Sequence, residues 1–161
     1  MLESNPLPSP QLGATADPTE ETTDVLVVGM PETGGLTPTL LKINEATDGW
    51  VARLVELEQV RGKRAELTLL ASPLASGPTM LLVVGLGDGE PTRELAFEVA
   101  SAAIRKLADR ARQRVTIALG ESFPESIQDA VVAGALFGCE SQAIYQSDPS
   151  RQVPAAINFS G

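Results

Sequence analysis

Met80-Leu81-Leu82-Val83-Val84-Gly85-Leu86-Gly87-Asp88-Gly89 is the stretch from which the fold can be read. A strand with one face in water alternates apolar and polar residues. The unbroken run Met80 to Val84 does not, so residues 79–85 are predicted as a central strand covered on both faces. The glycines at 85, 87 and 89 are expected to turn the chain. From Pro91 the period changes: Leu95, Val99, Ala103, Leu107 and Ala111 form one helical stripe, with Ala96, Ala100, Ile104 and Ala108 beside it. Arg93, Glu94, Arg105, Lys106, Arg110 and Arg112 fall on the wet side. Strand, glycine turn and amphipathic helix together point to an α/β sheet with helices on both faces.

Working upstream, Asp24 to Gly29 is a short β-branched run ending at a glycine, predicted as a buried strand. Thr37-Pro38 carries the signature of a helix start, with the hydroxyl at the N-cap and proline at the first helical position. Gly49 interrupts that helix, and Trp50, Leu54 and Leu57 resume its spacing. Gly62-Lys63 reads as a turn, and Leu67 to Ala71 as a strand stopped by Ser72-Pro73. Downstream, Val115 to Leu119 is the next strand and residues 125–139 the next helix. Ala130, Gly134 and Gly138 fall four apart on one side of it, a spacing expected to let it approach the sheet closely. Val132, Leu136 and Phe137 make the other side apolar too. Residues 153–159 are predicted as the final strand. The order β-α-β-β-α-β-α-β implies a mixed, mostly parallel sheet. Residues 1–22, rich in Pro, Ser, Thr and Glu, are expected to be a flexible leader, and residues 23–161 one α/β domain.

Composition narrows the chemistry. None of the 161 residues is histidine, which removes the commonest general base and metal ligand. Cys139 is the sole cysteine, so neither an intrachain disulfide nor a multi-cysteine zinc site is possible. A net charge of −9 argues against nucleic acid and against anionic membranes as partners. The opening residues Met1 to Pro6 show neither the positive end nor the apolar run of a signal peptide. The expectation is a cytoplasmic protein without a membrane span. Asn158-Phe159-Ser160 matches a glycosylation sequon and is read as chance.

Each candidate group has a plain structural reading. Gly85 to Gly89, between strand and helix, stands where phosphate can be cradled. Its spacing is not that of a dinucleotide fingerprint, and no phosphate-binding lysine follows. A glycine turn is favoured there, as at Gly29 and Gly120. Cys139 has no histidine to activate it and is read as a buried structural thiol. Glu20-Glu21-Asp24 and Asp88-Glu90 lack a repeated ligand spacing and are read as surface charge. Arg110, Arg112 and Arg114 suit the negative end of a helix. Trp50 is read as a core or interface anchor. No catalytic, cofactor-binding or metal-binding residue is assigned.

Taken in order, four stretches resemble the amino-terminal domain of the cytosolic leucyl aminopeptidase family: Asp24 to Gly29, Val60-Arg61-Gly62-Lys63, Leu82 to Gly87 leading into an alanine-rich helix, and Val132-Ala133-Gly134-Ala135-Leu136-Phe137-Gly138. The resemblance implies a macro-domain-like fold. It also implies that a larger catalytic domain, binding two divalent metals (zinc or manganese) and removing amino-terminal residues from peptides, follows in the family, which assembles as hexamers. The family's Asn-Thr-Asp-Ala-Glu-Gly-Arg signature is absent here, so no site residue carries over. Glu140 to Tyr145 is also less basic and less aromatic than the family's corresponding segment.

Three functions follow as expectations. The first is a non-catalytic accessory or assembly domain, partnered by a catalytic domain of the same or another chain, with homo-oligomerisation open to it. The second is a macro-like module binding ADP-ribose or a related nucleotide. The third, an independent hydrolase, has least in its favour.

Overall fold

The computed structural model describes residues 10–144 and 152–160. Its strands are β1 (Gln11–Ala14), β2 (Thr23–Pro31), β3 (Leu67–Ala71), β4 (Pro78–Gly87), β5 (Arg114–Ala118) and β6 (Ala156–Phe159). Its helices are α1 (Pro38–Ala46), α2 (Trp50–Glu56), α3 (Arg93–Leu107) and α4 (Asp129–Ile144). The six strands form one sheet in the order β1-β6-β5-β2-β4-β3. All neighbours are parallel except β3 and β4. The mixed, mostly parallel α/β sheet with helices on both faces expected from the sequence is the one found.

Alternation on fully buried strands sorts the core into two layers. Val25, Val27, Leu82, Val84, Val115 and Ile117 point to the face covered by α3 and α4. Leu26, Val28, Leu81, Val83 and Ala118 point to the face covered by α1 and α2. Consecutive apolar residues on β4 thus serve opposite layers, and Val83 and Val84 are 4% and 0% exposed. β4 is an interior strand, but β2 is the axis of the sheet, flanked by both β4 and β5.

Two expectations need correction. Residues 1–22 contribute a strand: β1 pairs with β6 at the edge of the sheet. The segment after it is tied down as well. Asp17 pairs with Lys42 on α1, and Glu21 accepts from Arg114 at 3.1 Å and from the Asn158 side chain at 3.2 Å. The Asn158 amide of the sequon is therefore engaged with Glu21. Residues 1–9 lie outside the described part, as does Tyr145.

The second correction concerns α4. Its glycines face α3, not the sheet. A Cβ on Gly134 would lie 2.3 Å from the Phe97 carbonyl oxygen, and one on Gly138 2.9 Å from the Ile104 Cβ. The spacing of four does mark a close approach, but between helices. The helix also starts later than expected, with residues 125–127 forming a separate 3-10 turn.

Candidate functional site

In a doubly wound sheet, ligands enter at the carboxyl ends of the strands where the winding reverses. Here the chain leaves β2 through α1 and α2 toward β3 and β4, then crosses back through α3 to β5 on the other side of β2. The reversal lies between β2 and β5. Its rim is built from residues 31–37 after β2 and residues 119–128 after β5, with residues 88–92 after β4 beside it.

The glycine segment singled out from the sequence is not open to a ligand. Gly85 and Gly87 belong to β4 rather than to a turn. The Gly85 N–H donates to the Glu66 carbonyl at 2.7 Å, and the Gly87 N–H to the Gly62 carbonyl at 2.8 Å. Donors already committed to backbone carbonyls cannot cradle phosphate. Only Gly89 stands in open space, beside exposed Asp88 and Glu90. A cavity of about 160 Å³ at this rim is lined by Pro31, Leu86, Gly87, Pro91, Ser122 and Phe123 among others, and the Ser122 hydroxyl oxygen is buried without a hydrogen-bond partner.

The first turn of α1 faces the same reversal. Thr37 holds the N-cap position, but its hydroxyl donates to the Gly29 carbonyl at 3.0 Å instead of capping the helix. The capping anion comes from across the crevice. Glu121, in the loop after β5, accepts from the Thr39 N–H at 3.2 Å and from the Thr39 hydroxyl at 2.9 Å. Helix amino termini favour negative charge, and this one is supplied with a carboxylate by its own chain. Sequence reasoning missed Glu121. Its role depends on a contact between residues far apart in the chain, and no local spacing announces it.

The remaining candidates take structural positions. Cys139 is 3% exposed, and burial, reinforced by neighbouring Glu140, pushes its thiol up to about 11. A thiol so poorly ionised is a weak nucleophile. Arg112 is buried; its guanidinium donates to the Leu107 carbonyl at the end of α3 and to Asp109 at 2.8 Å, so it caps the helix. Arg114 pairs with Glu21. Asp24 accepts from the Gln113 N–H at 2.6 Å. Trp50 packs partly buried against the layer under α1 and α2. Among the described residues, no three His, Cys, Asp or Glu side chains come together in a group fit to hold a metal ion. The two divalent metals that the resemblance implies therefore have no ligand set in this part of the chain.

The model of the amino-terminal domain of the cytosol aminopeptidase family matches residues 27–149. This chain belongs to the cytosol aminopeptidase family. A probable cytosol aminopeptidase of Rhodopirellula baltica is 36% identical over 174 residues, covering 99% of this chain and 34% of that protein. A probable cytosol aminopeptidase of Ralstonia pickettii is 36% identical over 99 residues, covering 61% of this chain and 20% of its own length. The chain thus spans about a third or less of these curated relatives. Among solved structures, a mutant of tomato leucine aminopeptidase superposes with a TM-score of 0.75 at 16% identity, over 99% of this chain and 34% of that one. The macrodomain of Thermus aquaticus DarG gives 0.58 at 11% identity, over 94% and 97% of the two chains. At such identities these structures speak for the fold alone. Within the described residues, no helix is long and apolar enough to cross a membrane.

Proposed function

We propose that this chain acts as a non-catalytic accessory domain of a cytosol aminopeptidase, supporting a catalytic domain of the same or another chain that carries the peptide-cleaving chemistry and its zinc or manganese ions. The observation that carries the reading is the family match over residues 27–149, within a stretch that corresponds to about a third of the relatives' length. The absence of histidine from the sequence and the structural engagement of Asp24, Arg112 and Arg114 agree with it. A cytoplasmic setting suits a lone buried thiol and the name of the family. Homo-oligomerisation is part of the same proposal.

The nucleotide-binding alternative is not favoured. The Gly85 and Gly87 amides are bound to Glu66 and Gly62, and a carboxylate already sits at the start of α1. Two measurements test the reading. The purified chain is expected to release no amine from leucine amides with zinc, manganese or cobalt present. Turnover that a point substitution in this chain abolishes would overturn the accessory role. Titration calorimetry with ADP-ribose is expected to show nothing tighter than about millimolar, which corresponds to about −4 kcal/mol. Micromolar binding would promote the nucleotide reading.

A further inference from the structure

We propose that Glu121 is an internal anion that occupies the helix start facing the crevice between β2 and β5, so that the domain retains a ligand-binding architecture with its anion position filled by its own side chain. The proposal rests on the reading of this chain as a domain that binds no nucleotide, and it names the residue responsible.

Three observations carry it. The first is the occupant: the carboxylate is held by both the backbone N–H and the hydroxyl of Thr39, as an oxyanion at a helix start would be. The second is position. Glu121 follows β5 and Thr39 follows β2, the two strands that flank the winding reversal where this class of sheet accepts ligands. The third is the arrangement around α1. Pro38 contributes no N–H, and the Thr37 hydroxyl is committed to Gly29, so the first turn relies on a partner from outside the helix. Next to Glu121, the Ser122 hydroxyl is buried and unpartnered, a polar group left over at the same rim.

An incoming phosphate would have to displace the carboxylate and then lie beside it. That repulsion disappears when the carboxylate does. Inorganic pyrophosphate is the probe, followed through the amide resonances of the intact chain. In the unaltered protein, the Thr39 amide is expected to stay in place up to tens of millimolar pyrophosphate. In Glu121→Ala it should move saturably, with an affinity at least about tenfold higher. Glu121→Gln keeps an acceptor for Thr39 without the charge and should fall between the unaltered protein and the alanine variant. Glu121→Ser is a second small replacement in case alanine loosens the fold.

Binding at Thr39 in the unaltered protein as tight as in the alanine variant would overturn the proposal. So would a folded alanine or serine variant in which pyrophosphate leaves Thr39 unmoved. The outcomes separate from those of the accessory-domain reading. Micromolar ADP-ribose binding by the unaltered chain would remove that reading, whereas a folded variant that gains nothing removes only the role of Glu121.

Discussion

The amide of Gly87 donates to the carbonyl of Gly62 at 2.8 Å, joining the end of β4 to the loop that precedes β3. The contact is close on both sides. A Cβ on Gly85 would sit 1.8 Å from the Lys63 carbonyl oxygen, and one on Gly62, at φ +72°, would sit 2.4 Å from the Pro31 carbonyl oxygen. Two of the four stretches that carry the family resemblance are therefore the two halves of one backbone crossing. Gly85→Ala should cost about 3 kcal/mol or more, because backbone on both sides must move. Gly62→Ala should match it, adding left-handed strain to the clash. Gly89→Ala meets open space and should change little. Urea denaturation of the three variants checks the ranking; a Gly89 variant as unstable as the Gly85 variant would sink it.

Gly134 lets α4 touch the backbone of α3. Its replacement by alanine puts a methyl 2.3 Å from the Phe97 carbonyl oxygen. Overpacking of this kind costs about 1–3 kcal/mol and forces the helices apart. The Phe97 and Phe137 rings, whose centroids are 5.2 Å apart across this seam, should report the movement. Near-ultraviolet dichroism and thermal melting of Gly134→Ala are expected to change together. An unchanged melting temperature would mean that the helices are not in contact there.

Val83 and Val84 point into separate core layers, so each tests a different one. Val83→Asp and Val84→Asp each bury a charge without a partner, a penalty of several kcal/mol, about half or more of the stability of an ordinary domain. Both variants are expected to be unfolded or insoluble. A soluble Val84→Asp protein melting near the normal temperature would be incompatible with β4 as an interior strand.

Stability should depend on pH at two ends. Asp17, Asp109 and Asp129 are held below the ordinary carboxylate value, chiefly by hydrogen bonds from Lys42, Arg112 and Arg93 respectively. A depressed folded pKa gives stability that is present above the unfolded value and lost as pH falls through the folded one. Melting temperature should therefore drop below about pH 4. The Asp109 and Asp129 carboxylates are exposed and Asp17 partly so, although Arg112 itself is buried, so the individual contributions are small and salt-sensitive. Cys139 acts at the other end with the opposite sign. Its thiol is raised from 9.0 to about 11, so its contribution is complete below the unfolded value and lost as pH rises through the folded one. Cys139→Ala should flatten the alkaline edge. No imidazole exists to add a step between pH 5 and 8. A melting curve measured across this range that showed a step near pH 6.5 would contradict the assignment.

What the sequence revealed followed from local regularity. The run Met80 to Val84 announced burial on both faces, and the stripe from Leu95 to Leu107 announced α3, because each pattern repeats within a few residues. β1 escaped notice for a physical reason: Gln11, Leu12, Gly13 and Ala14 are all exposed, and the strand is held by backbone pairing to β6, which leaves no alternation to read. The four-residue spacing of Ala130, Gly134 and Gly138 did mark a close approach. Periodicity gives the side of a helix, however, and says nothing of which neighbour lies there. The glycines at 85 and 87 looked like a turn because their partner loop, residues 62–66, lies elsewhere in the chain. Glu121 was invisible for the same reason, since a cap delivered across a crevice has no sequence window.

The pairing of β1 with β6 sets an order on assembly. Gln11 lies opposite Ala156, so the first described strand finds its place only beside the last. On a ribosome, which releases the chain from its amino terminus, β1 must wait until nearly the whole domain has emerged. Strands β2 to β5 can meanwhile form the middle of the sheet without it. Closing so long a loop carries an entropic cost that a four-residue strand repays only weakly. The edge of the sheet is therefore the last part to be completed during synthesis and the first to fray afterwards.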